Sequence, residues 1–123
     1  MKRMMIFSII LILSTAYAFV SAKKNLVGHW LVKYNNGQSI KIEFRKNGTF
    51  ETYLPAEKFT VGGKYKLEED ILSLNDTACD PNYWGKYNEK FFTDDSIYST
   101  VIEDTCIGRK RAADQATLIR LKD

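Results

Sequence analysis

Glu89 stands in the run Gly85-Lys86-Tyr87-Asn88-Glu89-Lys90-Phe91. Period-two counting puts Gly85, Tyr87, Glu89 and Phe91 on one face of a strand. If that face is the inner one, the carboxylate is enclosed and must be hydrogen-bonded, paired or kept protonated. The hydroxyls of Tyr65, Tyr87 and Tyr98 are the candidate partners. A carboxyl so placed orients the polar end of a small ligand, or works with a tyrosine in an acid–base isomerisation or cyclisation. A one-residue bulge has the opposite effect and returns Glu89 to solvent beside Lys86 or Lys90.

The remaining reactive residue types are few. His29 is the sole histidine and points away from Trp30, its neighbour in sequence. With one histidine and no serine motif, zinc sites and nucleophilic triads have nothing to build on, so no metal, cofactor or catalytic residue is expected. "VGG" at Val61 to Gly63 opens a strand and is no phosphate loop. Cys79 and Cys106, an even pair in an exported chain, read as one disulfide worth roughly 3 to 4 kcal/mol, against the alternative of two buried thiols. In "IEDTCIGR", Asp104 and Cys106 share a strand face, and Gly108 lets the chain turn so that Arg109 returns to Asp104 in a structural ion pair. Tyr83 and Trp84 either form an aromatic lip at a mouth or cover the disulfide.

These residues need elements to hold them. The 123 residues, 45% hydrophobic and 27% charged, allow one globular domain. From Leu26 onward, short alternating runs separated by turn residues predict strands at Leu26–Tyr34, Ser39–Arg45, Thr49–Leu54, Gly63–Leu67, Ile71–Leu74, Gly85–Phe92, Ile97–Asp104 and Thr117–Leu121. "NNG" at 35–37 and "KNG" at 46–48 supply positive-φ residues for tight hairpins. Ile40, Ile42 and Phe44 point one way and Ser39, Lys41, Glu43 and Arg45 the other; Phe50, Thr52 and Leu54 continue the inner face. About eight hairpin-linked strands favour an all-β, up-and-down antiparallel barrel, because closure removes exposed edges. A two-layer sandwich has the same periodicity. A short helix starting at Asp114 fits the last segment.

Residues 1–22 have a basic start (Lys2, Arg3), an apolar centre and small residues at Ala18 and Ala22, which is the pattern of an export signal cleaved after Ala22 or Ala18. An uncleaved membrane anchor is the competing expectation. Residues 23–123 are then the working domain, secreted or periplasmic, and their 16 Lys+Arg against 15 Asp+Glu leave a formal charge of +1. Those charges alternate in sign along the chain instead of forming a basic stripe, which argues against nucleic acid as a partner.

Gly28-His29-Trp30 on the first strand, eight strands in a meander, a late arginine, and the run "CDPNYWGKY…IEDTCIGR" together resemble a bacterial lipocalin-like domain of the wider calycin group, over Leu26 to Leu121. The resemblance implies that Trp30 closes the barrel floor with a basic side chain over its indole, Arg120 first and Arg109 second. It also implies a small hydrophobic or amphiphilic ligand inside the barrel, among Phe44, Phe50, Tyr65, Tyr87, Glu89 and Tyr98. The presumed interior is itself rich in large side chains, so the alternative is a filled, disulfide-stapled interaction or inhibitor domain.

Overall fold

The computed structural model describes residues 24–54 and 59–122. The expected leader at 1–22 lies outside the described residues. Eight strands follow one another as β1 (Gly28–Lys33), β2 (Ser39–Phe44), β3 (Thr49–Leu54), β4 (Phe59–Glu68), β5 (Ile71–Asp76), β6 (Gly85–Thr93), β7 (Ser96–Glu103) and β8 (Ala116–Arg120). Each pairs antiparallel with the next, and β1 pairs with β8 to close the barrel. A sandwich is thereby excluded. Gly37 and Gly48 take φ of +93° and +87° in the first two hairpins, the conformation those turns require.

Two expectations about the elements change. β4 begins at Phe59 rather than Gly63, because Phe59, Thr60, Val61 and Gly62 pair with β3 although their sequence alternates poorly. The helix lies earlier than expected: α1 spans Ile107–Ala113 and ends where a helix was expected to begin, at Asp114. Its sequence, IGRKRAA, has no apolar stripe and buries no residue as a whole, so periodicity carried no signal for it.

One face of each strand builds the core. Trp30, Val32, Ile42, Phe44, Phe50, Leu72, Leu74, Tyr87, Ile97, Ala116 and Leu118 form one buried cluster, with Tyr65, Leu67, Phe91 and Val101 packed against it. Full burial of each large apolar side chain contributes about 1.5 to 3 kcal/mol, and the alternation within each strand is what delivers them all to one enclosed volume.

The floor is built around Trp30, which is 0% exposed and donates its Nε1–H to the Leu26 carbonyl at 2.8 Å. Arg120 lies opposite Trp30 in the β1–β8 register, with Cζ 4.3 Å from the ring centroid. It is held there by Asp95 Oδ1 at 2.7 Å and by the carbonyls of Val27, Asn25 and Asp94 at 2.7, 2.9 and 3.1 Å. The Gly-x-Trp spacing follows from this. Gly28 has φ +132°, and a Cβ there would stand 3.0 Å from Arg120 Nη1. Arg109, the second choice for the partner, lies at the other end of the barrel.

Arg120→Met keeps an apolar stem against the indole but strips three carbonyls and Asp95 of their donor. It should cost about 1.5 to 3 kcal/mol, read as a lower urea midpoint with unchanged slope.

Candidate functional site inside the barrel and at its mouth

Glu89 faces inward. It is 0% exposed, and its strand reads buried at Gly85, Tyr87 and Glu89 and exposed at Lys86, Asn88 and Lys90. Register shifts between β6 and β7 do occur, at Lys86/Tyr87 and Phe91/Thr93, but they flank Glu89 instead of turning it out. Directly across β7, Ser99 donates its hydroxyl to Glu89 Oε2 at 2.6 Å, while Oε1 is buried without a hydrogen-bond partner. Burial pushes the carboxyl up to about 7, and the Ser99 hydrogen bond draws it down only in part.

None of the expected tyrosines serves as that partner. Tyr65 donates to the Arg45 carbonyl at 2.8 Å, and burial raises its hydroxyl above the usual range. Tyr87, 0% exposed, donates to Asp104 Oδ2; burial first, and then the neighbouring Asp104 charge, push its hydroxyl well up. Tyr98 falls opposite Lys90 in the β6–β7 register, on the face turned away from Glu89, so its expected place in the interior is corrected. Ser99 was missed because a serine among Ile97, Tyr98 and Thr100 carries no marking of its own; only the hairpin register sets it against Glu89. Phe44 and Phe50 lie inside, with ring centroids 6.1 Å apart, and Tyr65 meets Phe44 edge-on at 4.8 Å.

A second polar cluster closes the end opposite Trp30. Arg109, from α1, donates from Nε and Nη2 to Asp104 Oδ2 and Oδ1 at 2.7 and 2.8 Å, and from Nη1 to Asp76 Oδ2 at 3.0 Å. Asp104 also accepts the Tyr87 hydroxyl and the Cys106 N–H. Burial alone would raise the Asp104 carboxyl, but Arg109, Tyr87 and the Cys106 amide outweigh it and hold it below the usual range. Burial likewise opposes the Arg109 charge, and Asp104 and Asp76 overcome it. Gly85 makes room for this arrangement, since a Cβ there would fall on the Asp104 carboxylate. The turn that brings Arg109 back is α1 itself and not a glycine conformation at Gly108, whose φ is not positive. Cys79 and Cys106 form a disulfide with α-carbons 5.9 Å apart, tying the N-cap of α1 to the β5–β6 loop. Every polar arm of Arg109 and Asp104 is committed, which fits a brace better than a reaction centre.

The interior is closely packed. Its central side chains, from Trp30 and Phe44 to Tyr87 and Leu118, each expose 9% or less. A concavity of about 260 Å³ lies outside the barrel, lined by Asn35, Ile107, Lys110, Arg111 and Asp114. The other sequence candidates lie on the surface: His29 Nε2 is 3.8 Å from Glu43 Oε2, and Trp84 sits beneath the Lys66 ammonium at 4.3 Å. Among the described residues no cluster of His, Cys, Asp or Glu could hold a metal ion. No protein-family model matches the chain, and no curated protein or solved structure matches it either.

Two outcomes follow. The folded barrel keeps the Glu89 proton that the unfolded chain releases above pH 4.5, so this contribution is complete below pH 4.5 and is lost as pH rises to about 7. The loss is on the order of 3 kcal/mol, and urea midpoints across that range should show it for the wild type and not for Glu89→Gln. Asp104 has the opposite sign: its stabilisation is present above the ordinary carboxylate range and fades as pH falls through its depressed pKa. Asp104→Asn should cost about 3 to 5 kcal/mol at neutral pH by leaving Arg109 underpaired, and should remove that acid limb from the stability profile.

Proposed function

We propose that this protein is an exported, lipocalin-like barrel whose interior is filled by its own side chains and which works by binding partners through its outer surface. The observation that carries the proposal is the closeness of the interior: a hollow binding barrel leaves its lining accessible, whereas the central inward side chains here expose 9% or less, and Tyr65, Leu67, Phe91 and Val101, partly buried, pack against them. The disulfide fits an oxidising compartment, and no described helix is long and apolar enough to cross a membrane. With its core packed and both ends braced, the barrel offers a stiff outer sheet as its working surface. The proposed role is non-catalytic, since the inward tyrosine hydroxyls are given to Arg45 and Asp104 and not to Glu89.

A second reading has one observation in its favour. The unpartnered Glu89 Oε1 is the kind of group that orients an amphiphile's polar end. Titration with a fluorescent fatty-acid probe separates the two. A filled barrel gives no saturable signal that unlabelled fatty acid displaces; a displaceable signal that weakens in Glu89→Gln would replace the surface proposal with the interior one.

A further inference from the structure

The alternation of charge along the chain does not survive folding. Lys64 and Lys66 on β4 and Lys86 and Lys90 on β6 all point outward and are exposed, because their neighbours Tyr65, Leu67, Tyr87 and Glu89 point in. The register places Lys66 and Lys86 on either side of Ser73 in β5. Two strand spacings separate them, about 10 Å, and Lys64 stands about 7 Å from Lys66 along its strand. Four acids lie on or beside this face: Glu68 on β4, Glu103 opposite Lys86, and Glu51 and Asp70, which are paired with Arg45 and Lys24; among the described residues none of the four lysines is in an ion pair. In a domain of formal charge +1, this is a concentrated basic stripe across three adjacent strands.

The stripe carries more than charge. The β5–β6 loop folds over the outer face of β5, where Asn75 donates to the Pro81 carbonyl at 2.8 Å. That loop delivers the half-buried Trp84 to the Lys66 ammonium, 4.3 Å from its ring centroid. Asn88, opposite Thr100 in the register, places a side-chain amide between Lys86 and Lys90.

We propose that this face binds an acidic polysaccharide, a linear chain bearing carboxylate or sulfate groups. Lysines are compact point charges suited to separated anionic groups, and the stripe has four. The amide of Asn88 and the hydroxyl of Thr100 match sugar hydroxyls, and the Trp84 indole offers an apolar plate for a ring face. A nucleic acid chain would call for a continuous row of stacking aromatics; here Trp84 lies with Lys66 on one side of the stripe, and Tyr98 and Phe92 lie with Lys90 on the other. The proposal rests on the outer surface being the working part, a premise tested separately by the fatty-acid probe. A barrel that rejects the probe and also ignores polysaccharide would defeat this inference alone.

The test is titration of the full protein with heparin and with alginate, followed by tryptophan fluorescence, in which the half-buried Trp84 and not the fully buried Trp30 should respond, and repeated at several salt concentrations. Wild type should bind and weaken steeply with salt. The variant K64Q/K66Q/K86Q/K90Q should lose at least about tenfold in affinity, with a shallower salt slope. Removing equal charge elsewhere, in K33Q/K41Q/K46Q/K122Q, should change affinity by less than about threefold. Single K66Q and K86Q proteins, with unchanged melting temperatures, guard against a fold defect in the quadruple variant. No binding of either polysaccharide, equal loss in both quadruple variants, or tighter binding of oligo-dT or phosphatidylserine vesicles would overturn the proposal.

Discussion

Pairing of β1 with β8 is the constraint on which this molecule depends. Without it, Gly28–Lys33 and Ala116–Arg120 would be open edges with unpaired backbone groups, and the apolar faces of eight short strands would lack a common interior. The same pairing sets Arg120 opposite Trp30, so the residues that seal the floor also mark the seam. Gly28 matters because its missing side chain leaves space for the guanidinium at the point where the two chain ends meet.

The two ends of the barrel are closed by different physics. At the floor an indole and a guanidinium stack, and the guanidinium is occupied by backbone carbonyls and Asp95. At the mouth, two carboxylates, a guanidinium and a phenol neutralise one another while largely buried, and the disulfide secures the helix that supplies the guanidinium. Removing charges from water is costly, and what repays it here is geometry: Arg109 meets Asp104 with two parallel hydrogen bonds and sends its third arm to Asp76. Between these closures lies Glu89, an inward acid that no cation among the described residues meets. It is held by a single serine, and burial favours its protonated form, moving the carboxyl up to about 7.

Closure also explains why the surface, and not the interior, is the proposed working part. A barrel of short strands whose inward positions carry Trp30, Phe44, Phe50, Tyr65, Tyr87 and Phe91 among aliphatic side chains fills itself. Once the inside is committed to packing, the outward positions are free to vary, and neighbouring strands bring together lysines that are some twenty residues apart in sequence.

Much of this was legible before folding. Alternation such as Ile40, Ile42, Phe44 against Lys41, Glu43, Arg45, together with glycine-bearing turns, determined an antiparallel all-β chain, because a strand's side chains point to opposite faces whatever surrounds them. The inward direction of Glu89 was also contained in that count, subject to a bulge. What the tertiary structure alone decided was everything set by register between strands. Closure rather than a sandwich, Ser99 instead of a tyrosine beside Glu89, the outward turn of Tyr98, and the gathering of Lys64, Lys66, Lys86 and Lys90 all depend on which residue faces which across a gap. The helix at Ile107–Ala113 belongs with them, since it is fixed by Arg109's hydrogen bonds and the disulfide and not by any apolar period of its own. Periodicity is a property of one strand and survives in its sequence; juxtaposition is a property of two, and no single stretch of chain contains it.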